Sequence, residues 1–333
     1  MADVGRLAGV SHQTVSRVIN GSRHVSPETR TRVRAAMEQL GYRPNSVARA
    51  LATGRTRTLG VVSSDTTLYG PASTLFGIER AAHLAGYFII VASMRALDRV
   101  TLAEAIERLA VHGVEGVLVI VSEAEAAAAL TDVPPQLPLV AVEAGPEHGV
   151  PVVSVDQRAG ATLATHHLLD LGHPTVHHVT GPPTSLESQL RLSGWETTLR
   201  AAGAEVPEPL LGDWGPLSGY EAGQRLARDP EVSAVFVAND QMALGVLRAM
   251  HEAPRRIPEE ISVVGFDDIP EAAYFTPPLT TVRQDFGEVG RRSLAVLLRA
   301  IEGEGGDGGS HESLLVDPEL LVRASSAARL GTS

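Results

Sequence analysis

The chain has 333 residues, 44% of them hydrophobic and 20% charged, with no cysteine. That length exceeds one ordinary core and predicts two or three globular units. The missing thiols exclude disulfides, thiolate metal sites and cysteine nucleophiles, and suit a reducing, cytoplasmic setting. Neither an apolar run long enough for a membrane span nor a signal-peptide pattern occurs. The net charge of −11 is uneven. Residues 1–60 hold ten arginines against Asp3, Glu28 and Glu38, a net of +7, so the remainder carries −18. A small basic head on a large acidic body predicts a polyanionic partner for the head alone.

Residues 3–8 read as the remainder of a helix with Val4 and Leu7 on one face, broken at Gly9. Ser11 is then an N-cap for a second helix running to about residue 20. Its Val15, Val18 and Ile19 face inward, and His12, Gln13, Ser16 and Arg17 face outward. Ser26-Pro27-Glu28-Thr29 supplies a third helix with a cap, a proline at its first position and an acidic first turn. Val33, Ala36, Met37 and Leu40 form its apolar face. Helix, glycine-containing turn and helix make a helix-turn-helix unit, whose second helix enters a major groove. Gln13 and Arg17 suit bidentate contacts to adenine and guanine, and His12 adds a third base contact. Ser11, Thr14, Ser16, Asn20, Arg23 and Arg30 suit phosphates. In NSVARALATG, residues 45–54, weak helical content surrounds Leu51. The segment reads either as a helix ordered on DNA, with Leu51 as a minor-groove wedge, or as a linker.

From residue 59 short apolar runs alternate with helical stretches. LGVVS, a helix over about 72–85, YFIIVAS, a helix over 102–112, GVLVIV and LPLVAV form a first series. A helix over 156–171 follows. The second series holds VHHVTG, helices over 192–202 and 220–226, SAVFVAND, a helix over 243–251 and ISVVGFDD. These are parallel-sheet βα units, and such sheets bind ligands beyond the carboxyl ends of their strands. Polar residues stand there: Ser63-Ser64 after LGVV, Asn239-Asp240 after SAVFVA, and Asp267-Asp268 after ISVVGF. Arg191 is expected in the loop and helix start after VTG, and Trp214 in GDWGPLSG. An aromatic face, a guanidinium and carboxyl or amide groups are the parts a sugar site needs. Each residue alone also has a structural reading, such as a turn cap for Asp267 or core for Trp214. Their shared placement at strand ends favours the ligand.

These motifs resemble the LacI/GalR family of transcriptional regulators over essentially the whole length, most closely its galactoside-responsive members. VSHQTVSRVINGSRHVSPETR and LGYRPN are similar to the family's head signature, and NSVARALATG to its hinge helix. The resemblance implies a small all-α helix-turn-helix head (1–44), a hinge helix and linker (45–57), and an α/β periplasmic-binding-protein-like core of two doubly wound lobes (58–333). The first lobe would take about 58–156 and a returning segment of about 284–312; the second would take about 157–283 and about 313–326. It further implies a homodimer reading a pseudo-palindromic operator, with specificity at His12, Gln13 and Arg17. Paired hinges carrying Asn45, Ala48 and Leu51 would lie in the minor groove.

For the effector, SQLRLSGW, GDW, VANDQMALG, VVGFDD and VRQDF resemble family segments and bring Arg191, Trp214, Asn239, Asp267 and Phe286. SSDTTLYGPAS brings Ser64, Leu68 and Pro71. Trp195 is assigned to packing. Two parts lack clean counterparts. The first-lobe arginine falls near Leu97, with Arg95 or Arg99 as substitutes, and the first-lobe aspartate has Glu123 or Glu125 nearby. A β-galactoside is the first expectation, with another β-linked disaccharide beside it. Family members have residues before Asp3 that cap the first helix, and some have a C-terminal heptad helix. Neither is in this sequence, so either the true start lies upstream of Met1 or the first helix is frayed and DNA affinity reduced; a dimer is expected, with contacts near 75–83 and 242–250. An enzyme is disfavoured, because no GxSxG, GxxxxGK[ST] or HExxH motif occurs. The His166-His167 and His177-His178 pairs each face two ways, which argues against a metal site; no cofactor is expected. The rival readings are a corepressor-dependent regulator and a sugar-binding protein that does not bind DNA.

Overall fold

In the computed structural model, residues 1–19, 24–42, 50, 54–64, 67–94, 98–121, 123–130, 137–145, 149–303 and 313–329 are described. Asn20, Arg23, Asn45, Ala48 and Leu51, most of the expected hinge helix, Arg95, Leu97 and the glycine-rich stretch after Gly303 lie outside them. The chain divides into two compact units, 1–57 and 58–333.

The first unit holds three helices: α1 (Ala2–Ala8), α2 (His12–Ile19) and α3 (Pro27–Gln39). Gly9 ends α1 in the left-handed region at φ 64°, where a side chain is disfavoured. Met1 caps the start of α1 without a side-chain bond. Ser26 caps α3, accepting the Thr29 N–H at 3.3 Å, with Pro27 at the first helical position. Val4, Ala8, Val15, Val18, Val33 and Ala36 are buried together. Two leucines depart from expectation, since Leu7 and Leu40 are each 46% exposed. In a two-turn helix the i, i+4 pair Val4 and Ala8 takes the inner stripe, and Leu40 lies one residue past α3.

Two six-stranded sheets build the second unit. The first runs β11-β5-β4-β3-β1-β2 and the second β12-β10-β9-β8-β6-β7. The strands are β1 (Thr58–Ser64), β2 (Phe88–Met94), β3 (Val117–Ile120), β4 (Leu139–Val142), β5 (Val152–Val155), β6 (His177–Thr180), β7 (Leu210–Leu211), β8 (Ala234–Val237), β9 (Ser262–Asp267), β10 (Thr280–Arg283), β11 (Ser313–Val316) and β12 (Glu319–Leu321). All neighbours pair in parallel except β10 with β12. Central runs such as VLVI, VVSV and AVFV are wholly buried, because helices cover both faces. Around them lie α4 (Tyr69–Leu84), α5 (Arg99–Val111), α6 (Ala124–Ala129), α7 (Gln157–Asp170), α8 (Leu186–Ala201), α9 (Pro216–Ala227), α10 (Asp240–Glu252) and α11 (Phe286–Ile301). Each sheet reverses its strand order beside its first strand, at β1/β3 and at β6/β8, which opens a crevice at the carboxyl ends.

The boundary expected near residue 312 shifts. β11 pairs with β5, Ser313 opposite Val152, so the segment returning to the first lobe extends through Val316. β12 and the residues after it join the second lobe. The run LLVDPELLV is two strands in two sheets because Pro318 offers no N–H to a ladder. Along the expected contact face at 242–250, Met242, Val246 and Met250 turn into the core of the second lobe while Leu244 stays 45% exposed. α4 and α11 pack with backbones touching at Gly77 and Gly290. A Cβ on Gly77 would lie 2.3 Å from the Phe286 carbonyl oxygen. That contact sets Phe286 near Tyr69, their rings edge-on at 6.0 Å.

Candidate functional site

In the first unit α2 presents His12, Gln13 and Arg17 to solvent while Val15 and Val18 hold its other face. Ser11 is committed to capping: its Oγ accepts the Thr14 N–H at 3.2 Å and lies 3.0 Å from Thr14 Oγ1. Ser16 and Thr14 are half-buried flanks of the same helix.

In the second unit a cavity of about 400 Å³ opens between the lobes at the carboxyl ends of both sheets. That is within the roughly 300–1,000 Å³ usual for small-molecule sites. All eight residues expected to hold an effector line it: Ser64, Leu68, Pro71, Arg191, Trp214, Asn239, Asp267 and Phe286. Glu123 lines it too. Arg99 and Glu125 do not; they border a shallow depression at the start of α5 and on α6.

Arg191 is the centre of a buried polar chain. It sits inside α8, which begins six residues earlier than expected because Ser185 caps it. Its Nε donates to Gln157 at 2.9 Å and Nη1 to the Ala238 carbonyl, while Nη2 is 3.5 Å from Asp267. Gln157 donates to Gln284 at 2.8 Å, and Gln284 to Asp267 at 2.7 Å. The guanidinium lies over the Phe266 ring at 3.8 Å and 5.5 Å from the Trp214 ring centroid. Burial pushes the Asp267 carboxyl up to about 6, against the pull of Arg191. Burial likewise lowers Arg191, opposed chiefly by Asp267. Asp267, Trp214 and Glu143 all adopt positive φ (106°, 71° and 61°), conformations side chains rarely take outside functional sites.

Asn239 has both ends of its amide engaged within the protein. Its Oδ1 caps α10 at Met242, and its Nδ2 holds the Trp214 carbonyl at 3.0 Å, fixing the aromatic wall. Asp240 points away, buried between Thr281 and Ile269. Asp268 is clamped at 2.8 Å and 2.6 Å by Arg283 and Arg323. Trp195 is core, donating to the Val176 carbonyl at 2.8 Å and stacked on His178.

A profile of bacterial regulatory proteins of the lacI family matches residues 1–45, and one of periplasmic binding protein-like domains matches residues 165–326. The lactose operon repressor of Escherichia coli K12 is 34% identical, with 91% of this chain and 84% of that protein covered. The ribose operon repressor of the same strain is also 34% identical, with 90% and 92% covered. Among solved structures, the Lac repressor dimer bound to operator and the anti-inducer ONPF superimposes with a TM-score of 0.83 at 32% identity, covering 98% of each chain. A CelR–cellobiose complex reaches 0.71 at 33%, covering 97% and 98%. The chain belongs to the lacI family of bacterial regulatory proteins.

In this LacI-family repressor several lining residues were not legible in the sequence. Gln157 and Gln284 connect the charged pair, and Glu143, Glu187, Tyr69 and Thr74 face the same space. A first-lobe carboxylate was expected only in the loop after β3. The next strand supplies another: Glu143 directly follows LVAV, a strand-end position like those already chosen. Among the described residues, no helix is long and apolar enough to cross a membrane.

Proposed function

We propose that this repressor binds a pseudo-palindromic operator as a dimer and is released from it by a small sugar, a β-galactoside first. His12, Gln13 and Arg17 read bases while Ser11, Thr14, Ser16, Asn20, Arg23, Asn45 and Ala48 set the backbone register, with Leu51 wedged in the minor groove. Supporting the sugar is the convergence of Arg191, Asp267, Trp214 and Phe286, drawn from four elements, on one cavity. Rings flank an apolar sugar face while the guanidinium and carboxyl take vicinal hydroxyls. The ligand spans residues of both lobes, so its binding favours one lobe angle, and only such differential affinity moves the operator equilibrium. A second β-linked disaccharide, a β-glucoside, has support from the similarity to the CelR–cellobiose complex. The test is fluorescence anisotropy on a symmetric operator titrated with a thiogalactoside, lactose, cellobiose and ribose. Release by galactosides alone is expected, with Gln13→Ala and Arg17→Ala losing operator preference. Release by cellobiose or ribose alone overturns the galactoside, and operator binding untouched by any sugar overturns the mechanism.

A further inference from the structure

Five carboxyl groups line the cavity (Glu123, Glu143, Glu187, Asp213 and Asp267) against one guanidinium, Arg191, which already serves Asp267 and Gln157. Glu123 and Asp213 lie at the exposed rim. Glu143 is buried and Glu187 half-buried, and they come from opposite lobes. Glu143 follows β4 and is 8% exposed. Its Oε2 accepts the Val155 N–H at 3.2 Å, and its Oε1 has no partner among the described residues. Glu187, in the first turn of α8, accepts the Ser185 hydroxyl at 2.7 Å. An independent second site of unmet bonding lies on α4. Thr74 is fully buried and lines the cavity, and its Oγ1 is unpartnered among the described residues. Three aromatic rings, Tyr69, Trp214 and Phe286, wall the same space.

A neutral hydroxyl would meet one of these needs. It would leave two carboxyls in each other's field with only Arg191, already paired to Asp267, as counter-charge, an arrangement that a cation or a proton relieves. Burial, then the charge of Glu187, pushes Glu143 up to about 8, while the Val155 N–H, the Gln157 amide and Arg191 pull it down. Glu187 is raised by burial, with Arg191 lowering it and Asp267 raising it. Both shifts favour the protonated carboxyl, and a nearby cation would favour the charged one. An ammonium supplies three donors and the missing charge, and aromatic faces attract it.

We propose that the effector is a sugar bearing a protonated amine, received between Glu143 of the first lobe and Glu187 of the second. The proposal rests on the sugar reading of this cavity and narrows its ligand class. Calorimetry on the full chain would compare methyl β-galactoside with its 2-amino-2-deoxy and 6-amino-6-deoxy analogues, at pH 7 in two buffers of different ionisation heat. At least one amine is expected to bind about tenfold more tightly than the neutral sugar and to release about one proton. That ratio should fall to near one in Glu187→Gln and in Glu143→Gln. The wild-type comparison stands even if a variant fails to fold. Neutral sugar binding as tightly as both amines, without proton release, overturns the amine and leaves the sugar cavity standing. An amine preference that survives in folded Glu187→Gln overturns the carboxyl pair. No binding by any of the three sugars, and no operator release, brings down the sugar reading together with this one.

Discussion

Arg191 is held by four groups before any ligand arrives: Gln157, the Ala238 carbonyl, Asp267 and the Phe266 ring. Removing it would strand Asp267 and Gln157 in a buried site, at a cost of about 2 kcal/mol or more. Arg191→Ala is therefore expected to lower the melting temperature of the core yet bind operator with near-normal affinity, and to lose release by sugar. Normal release would contradict the role given to the guanidinium. His178 shows a different residue-scale effect. It is buried between Trp195 and Phe236, with Nδ1 2.9 Å from the Phe236 carbonyl, so Nδ1 carries the proton. Burial lowers its pKa to about 4. The folded value lies below the unfolded one, so its contribution is complete above about 6.5 and is lost as pH falls towards 4. Asp267 and Glu143, both raised, act in the opposite sense: their contributions are complete below their unfolded values and decline as pH rises through about 6 and 8. His178→Phe keeps the stack and removes the titration. Urea unfolding at pH 4.5 and 7 should show a smaller loss of stability on acidification in the variant than in the wild type.

At the level of elements, the site depends on a contact with no polar chemistry. α4 and α11 belong to segments more than 200 residues apart, yet their backbones meet at Gly77 and Gly290. Their contact brings Tyr69 and Phe286 to the cavity wall. Gly77→Ala places a methyl group against the Phe286 carbonyl and should cost about 1–3 kcal/mol. It should also weaken sugar affinity by moving an aromatic wall. Unchanged calorimetric affinity in a folded variant would show that Phe286 is not held by this contact. Element boundaries were partly legible in the sequence. Ser26-Pro27 marked the start of α3 because cap and proline are local signals. The start of α8 was missed by six residues, since Pro182, Pro183 and Thr184 mask the Ser185 cap in a stretch without apolar periodicity.

On the scale of the molecule, charge and exposed apolar surface divide the work. The basic head supplies the electrostatic part of operator affinity, which falls steeply with salt because each neutralised phosphate releases condensed counterions. Phe76 and Leu84 on α4 and Phe88 on β2 are 65%, 78% and 73% exposed, a large apolar area contributed by one stretch of chain. The proposed dimer would cover it. Leu84→Asp with Phe88→Asp should yield monomers in sedimentation and lower operator affinity by orders of magnitude, because two half-sites no longer bind jointly. Dimers persisting in that double variant would move the interface elsewhere.

What the sequence by itself determined was whatever short-range patterning encodes. That covers a capped three-helix head with Gln13 and Arg17 outward, alternating βα units, and polar residues at strand ends and in the adjoining loops, which named Ser64, Arg191, Trp214, Asn239 and Asp267; Leu68, Pro71 and Phe286 came from the family resemblance. Tertiary structure alone decided which strand ends meet. Glu143 and Glu187 share a cavity only because two lobes face each other, and Gln157 bonds to Gln284 across 127 positions. It also decided that Asn239 holds Trp214 and that β11 and β12 part at Pro318. Propensity and periodicity act within a few residues, whereas burial, shared protons and sheet register depend on neighbours that the chain brings together only when folded.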